Sequence, residues 1–151
     1  MMKLAEALIE RAEIQKRNGQ LIKRINNCAK VLEGDQAPEE HEGLIAAYEM
    51  NMARFLELIQ RINKTNNQTP FDGETSITDA IAKRDCIGLR IKAYREFYEA
   101  ATARDRYSRN EIRTIRCIDP GEMQRNIDML SKEYREIDTK LQALNWSVEL
   151  S

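Results

Sequence analysis

Residues 119–145 read DPGEMQRNIDMLSKEYREIDTKLQALN, and their apolar members fall at Met123, Ile127, Leu130, Tyr134, Ile137, Leu141 and Leu144. Spacings that alternate between four and three put all seven on one stripe of a helix. The start of that helix is equally legible. Asp119 reads as its N-cap, Pro120 as the first helical residue, and Glu122 as the acid that reaches back to complete a capping pair.

Working outward, a second stripe without a miss runs Ile45, Tyr48, Met52, Phe55, Ile59, Ile62. Two more carry polar interruptions: Leu4, Ala7, Arg11, Ile14, Asn18, Leu21, Ile25, Cys28, Leu32 and then Ile77, Ala80, Arg84, Ile87, Ile91, Tyr94, Tyr98, Ala101. The pattern predicts an all-α fold of four long helices, over about 3–32, 40–66, 77–104 and 120–145. At about 1.5 Å of rise per residue each is roughly 40–45 Å long. A repeat held to seven residues favours coiled-coil-like packing, and short connections make two antiparallel helical hairpins within one domain, 1–151. The hairpins can close into one bundle or splay and pair with another subunit. Sequence does not choose.

Punctuation agrees with these limits. Gly34-Asp35-Gln36-Ala37-Pro38 separates the first two helices, and Ser76-Ile77-Thr78-Asp79 reads as a capped start for the third. The Asp72-Gly73 pair within 69–75 suits a tight turn, so a small β-hairpin is expected there. The β-branched run Ile112-Arg113-Thr114-Ile115-Arg116-Cys117-Ile118 is a candidate for another short strand before the fourth helix.

Charge and cysteine content narrow the function classes. Lys and Arg total 24 against 25 Asp and Glu, so the whole molecule has no field to gather nucleic acid or an anionic membrane. Cys28, Cys86 and Cys117 are odd in number and lack any CxxC spacing, which argues against a disulfide framework and a zinc site, and for a reducing cytoplasm. The opening residues hold charges where an export signal would be apolar. The uncharged run Gly43–Tyr48 is far short of the roughly 20 residues that cross a bilayer. His41, the only histidine, sits in an acidic stretch with no nucleophile motif beside it. No metal-ligand or phosphate-cradling motif occurs, so catalytic, metal and cofactor residues are all expected to be none.

One local basic patch stands out. Arg104, Arg106, Arg109, Arg113 and Arg116, against Asp105 and Glu111, give a net of +3, and Tyr107 lies among them. Arginines with an interleaved ring are able to hold phosphates and stack a base of RNA or other nucleic acid. The favoured alternative is structural, because Glu33, Asp35, Glu39, Glu40 and Glu42 give the first connection a net of −5. In an up-down-up-down bundle the two connections share an end, where they would neutralise each other within or between subunits.

Polar residues on the stripes form a second group. Arg11, Asn18 and Arg84 require partners if they face a core, with Glu6, Glu10, Glu13 and Asp85 nearby, and a buried Asn on such a seam fixes register more often than it binds a ligand. Arg61, Asn63 and Asn66 end the second helix, where capping is the safer reading. Trp146, the only tryptophan, is expected to anchor the C-terminal tail against the bundle or a neighbour.

Five segments resemble the septicolysin-like family of small bacterial proteins: Met2-Lys3-Leu4-Ala5-Glu6-Ala7-Leu8-Ile9-Glu10-Arg11-Ala12, Arg61-Ile62-Asn63-Lys64-Thr65-Asn66, Thr78-Asp79-Ala80-Ile81-Ala82-Lys83-Arg84-Asp85, Asp105-Arg106-Tyr107-Ser108-Arg109 and Asn145-Trp146-Ser147-Val148-Glu149-Leu150. They span nearly the whole chain in order. The resemblance implies a bacterial helical protein, and the family name implies a membrane-active, thiol-activated toxin. The shared segments overlap the polar positions above, which makes Arg11, Asn18, Arg61, Asn63, Asn66, Arg84, Asp85 and Trp146 the candidate polar interface. The leading expectation from the residues themselves is a cytoplasmic, non-enzymatic helical protein that self-associates, with nucleic-acid binding through the arginine segment as first alternative.

Overall fold

Residues 1–104 and 112–151 are described by the computed structural model. Among them the regular structure is four helices: α1 (Leu4–Asn27), α2 (His41–Gln68), α3 (Ile77–Thr102) and α4 (Pro120–Ser147). The all-α expectation holds. The chain divides into two compact units, Met1–Pro70 with Leu144–Ser151, and Phe71–Ala143.

In the first unit α1 and α2 run antiparallel. Side-chain pairs Glu10 with Arg54, Asn18 with Asn51, and Arg24 with Glu39 just ahead of α2 run back along the second helix as they step up α1. Leu4, Ala7, Ile14, Asn18, Leu21 and Cys28 are buried along the expected α1 stripe. That stripe was expected to continue to Leu32, but α1 stops at Asn27 and Leu32 is 78% exposed. Asn26 and Asn27 are weak helix formers, and the Cys28 and Ala29 N–H groups donate three residues back, to the Ile25 and Asn26 carbonyls, which tightens and ends the last turn. Gly34 then takes φ 91°, a conformation that glycine adopts without a Cβ penalty.

The tail closes this unit. Leu4 N–H donates to the Val148 carbonyl at 2.9 Å and Leu150 N–H to that of Met2 at 2.9 Å, around an antiparallel bridge between Lys3 and Glu149. Leu150 is buried at 5% exposure.

In the second unit α3 and α4 are antiparallel: Arg84 meets Asp138, and one turn further along α3 Gly88 meets Tyr134, one turn earlier on α4. Ile77, Ala80, Ile87 and Ile91 face Ile127, Leu130, Ile137 and Leu141, all buried and all on the expected stripes. Gly88 lies where the two helices meet: a Cβ there would stand 3.4 Å from the Tyr134 ring, an ordinary contact distance. Ser76 caps α3 reciprocally with Asp79. At the head of α4 the Asp119 carboxylate accepts from Gly121 N–H at 3.0 Å, and Pro120 is the first helical residue.

Neither expected strand forms among the described residues. Between α2 and α3 only Pro70 and Ser76 are bridge residues. The Asp72 carboxylate accepts from Glu74 N–H at 2.9 Å and from Thr75 N–H and Oγ1 at 2.7 and 2.8 Å, so a side chain takes the donors that a ladder would use. These bonds, first among them that from Glu74 N–H, hold the Asp72 carboxyl below its ordinary pKa. Residues 112–118 are irregular as well, because no described segment pairs with them and a strand propensity needs a neighbouring strand to be expressed.

Candidate functional site

The polar seam of the first hairpin is built on a row the α2 stripe does not contain. Leu58 and Thr65 are buried at 0% and 2%, and Asn51 and Leu44 continue their spacing of seven. The expected stripe is offset from this row. Of its members Ile62 is buried, Tyr48, Met52, Phe55 and Ile59 are half-buried, and Ile45 is 42% exposed. The apolar surface of α2 is therefore wider than the seam with α1. Leu56, at 56% exposure, lies at its outer edge.

Asn18 occupies the centre of that seam at 7% exposure. Its Oδ1 accepts from Asn51 Nδ2 at 3.0 Å and its Nδ2 donates to the Met52 sulfur at 3.4 Å. Both ends of the amide are satisfied inside the hairpin, the arrangement of a residue that fixes register. Arg11 is half-buried and forms no ion pair among the described residues. Its nominated partners are used elsewhere: Glu6 accepts from Lys3 N–H at 2.6 Å, and Glu10 is gripped by Arg54 Nε and Nη2 at 2.7 and 3.0 Å. The hydrogen bond from Arg54 holds the Glu10 carboxyl below its ordinary pKa.

Arg61 donates to the Ser151 carbonyl at 3.0 Å. Beside it the buried Thr65 hydroxyl donates to the Arg61 carbonyl at 2.8 Å, accepts Ser151 N–H at 3.0 Å, and lies 2.9 Å from Ser151 Oγ. The end of α2 thus clasps the tail, a role that spacing alone did not reveal for Thr65. Asn63 is exposed and Asn66 half-buried. Within the single chain Trp146 does not anchor the tail. It is 58% exposed, because it stands two residues beyond Leu144, about 200° around the helix from the stripe. Leu150 does the anchoring instead.

Arg84 and Asp85 are brought together in the second unit, with Arg84 Nε and Nη2 at 3.2 and 3.1 Å from Asp85 Oδ1, and Asp138 adds a bond from Nη1 at 3.0 Å. Burial opposes the guanidinium charge but is outweighed by these two carboxylates, so the Arg84 pKa stands above its ordinary value. A stripe arginine is here neutralised by its own hairpin. The missing partner, Asp138, was findable as the residue after the stripe position Ile137.

Of the arginine segment, Arg106, Tyr107 and Arg109 lie outside the described residues. Arg104, Arg113 and Arg116 are exposed. Arg116 Nε donates to the Ala101 carbonyl at 2.8 Å, folding the segment back on the end of α3. Between them is an open cavity of about 730 Å³ with Ala100, Ala101 and Ala103 on one side and 113–118 on the other. Ile115 in its wall and Ile112 beside it are 81% and 86% exposed. In the acidic connection Glu39 is paired with Arg24, whereas Glu33, Asp35, Glu40 and Glu42 form no ion pair among the described residues. That pairing lowers the Glu39 pKa.

Among the described residues no group of three or more His, Cys, Asp or Glu could hold a metal ion, and no helix is long and apolar enough to cross a membrane. His41 is exposed at the first residue of α2.

No curated protein matches the chain. A functionally unknown conserved protein from Corynebacterium diphtheriae, known from a crystal structure, is 38% identical, with 99% of each chain covered and a TM-score of 0.94. The likeness extends to the whole fold described above. A family match over residues 11–150 carries the same conclusion at the level of sequence: the chain belongs to DUF6847, a family of unknown function.

Proposed function

We propose that this protein is a non-enzymatic, self-associating helical scaffold that works in the cytoplasm by presenting helix faces and charged hairpin tips to further copies of itself. The observation that supports this best is the excess apolar width of α2. Ile45, Met52, Leu56 and Ile59 continue beyond the seam with α1, and the outermost of them are 42% and 56% exposed. Each exposed large aliphatic side chain that a partner covers contributes on the order of 1–2 kcal/mol to association. Light scattering on the purified chain at micromolar concentration is the test. A mass of two or more chains is expected, falling towards one chain in Leu56→Glu, and a strictly monomeric wild type would end the reading.

Nucleic-acid binding is the second reading, favoured by the three exposed arginines around the 113–118 cavity. It requires affinity for labelled single-stranded RNA that falls steeply with salt. The septicolysin resemblance would add a membrane-active role, which predicts dye leakage from anionic vesicles at micromolar protein; the seams of both hairpins are used up by helix packing, and we do not favour it.

A further inference from the structure

The α1–α2 and α3–α4 connections carry opposite net charge and exposed apolar side chains. After α3, the exposed Arg104, Arg113 and Arg116 accompany Ile112 and Ile115, which are 86% and 81% exposed. After α1, the exposed Glu33, Asp35 and Glu42, with Glu40, follow Val31 and Leu32, which are 47% and 78% exposed. Lys30 offsets one of these acids and Asp119 one of the arginines, so among the described residues each tip joins exposed aliphatic side chains to a net charge, negative at the first and positive at the second. We propose that the arginine tip of one copy docks on the acidic tip of a second copy, with Leu32 seated against Ile115 and the alanine-floored cavity beside it.

Three considerations select a second copy as occupant. The first is charge: three arginines face four acids that have no ion pair among the described residues, and such complementary patches steer and orient encounter. The second is apolar content. Phosphate offers nothing to Ile112 and Ile115, whereas Leu32 and Val31 supply the apolar surface they lack. The third is room: a cavity of about 730 Å³ with a floor of Ala100, Ala101 and Ala103 accommodates a leucine without displacing a larger side chain. One tip contact is small against the roughly 1,200–2,000 Å² of stable interfaces. Each copy carries both halves, however, so the same contact is available to every further copy that joins.

The inference rests on the self-association proposed above and is separable from it. In the full-length chain, Arg104→Glu with Arg113→Glu and Arg116→Glu makes both tips acidic, and Glu33→Lys with Asp35→Lys and Glu40→Lys makes both basic. Each variant alone is expected to lose self-association in sedimentation velocity, and an equimolar mixture of the two to regain it. Leu32→Ser and Ile115→Ser, which leave charge and helices intact, are expected to weaken association about tenfold each. If the reversed variants keep the wild-type mass, association runs through the helix faces and tip docking is overturned while the scaffold reading stands. A monomeric wild type overturns both. Binding of labelled single-stranded RNA by the wild type, abolished by the arginine reversal with no change in mass, would assign the arginines to nucleic acid and overturn the docking.

Discussion

Arg54 reaches from α2 to Glu10 on α1 and holds both of its carboxylate oxygens, at 2.7 and 3.0 Å, while a third bond at 2.9 Å ties it to Glu57. Neither residue lies on an apolar stripe, yet together they fix the hairpin at its middle. A forked pair of this kind has directional preference as well as charge. Arg54→Ala is expected to destabilise the protein by about 1 kcal/mol, more than a typical exposed ion pair, measured by urea unfolding at neutral pH.

The same pair sets a pH dependence. The hydrogen bond from Arg54 lowers the folded-state pKa of Glu10 from its ordinary value of 4.5. The unfolded chain therefore takes up the proton first as pH falls, so the stabilisation is complete above about 4.5 and disappears as pH drops through the folded value. Glu10→Gln should lie below wild type in urea midpoint at pH 7 and converge with it as the pH falls below the folded-state value. A gap that persists unchanged in acid would contradict this account.

Asn18 and Asn51 exchange a 3.0 Å hydrogen bond at a seam position where Asn18 is only 7% exposed. Asn18→Ala should cost about 1–2 kcal/mol, part of it from the lost bond and part from the void. A double-mutant cycle with Asn51→Ala tests the coupling, which should be at least about 0.5 kcal/mol if the two amides act together.

The tail offers a contrast between two large residues four positions apart. Leu150→Ala, at 5% exposure, should destabilise by about 2–3 kcal/mol, whereas Trp146→Ala, at 58% exposure, should change little. Native tryptophan emission should be red-shifted and readily quenched by acrylamide. Blue-shifted, protected emission would show that a partner covers Trp146.

Gly19 sits inside α1 with nothing within 4 Å of where a Cβ would stand. Gly19→Ala should raise stability by about 0.5–1 kcal/mol through helix propensity alone. Thermal or urea midpoints measure the gain, and a loss would mean that a partner helix approaches this face closely.

How legible all this was differs from element to element. The α3 and α4 stripes could be read residue by residue because a strict three-four spacing leaves a helix only one face to bury. The α2 stripe was legible as a helix signal but not as a contact map. Its true seam passes through Leu44, Asn51, Leu58 and Thr65, and hydrophobicity alone does not rank a threonine or an asparagine above Ile45 or Met52. Strands were expected at Asp72-Gly73 and at Ile112–Ile118 from propensity, but propensity cannot supply a pairing partner, and the Asp72 side chain captured the backbone donors. Among the candidate site residues, Asn18 and Arg84 with Asp85 were found from polar interruptions of a stripe. Thr65, Arg54 and Leu150 were not, because their significance depends on contacts between residues far apart in sequence. For Trp146 the expectation of an anchor against its own bundle did not hold, because its size was weighed without its angle on the helix.

The first unit draws its last residues, Leu144–Ser151, from the far end of the chain. During synthesis α1 and α2 precede the second hairpin and can zip together early, yet Leu4 N–H has no Val148 to meet, and Arg61 and Thr65 no Ser151, until α3 and α4 have been made. The hairpin begun first is therefore finished last, and on the ribosome it must wait, its hydrophobic end open, for the whole second hairpin to be made.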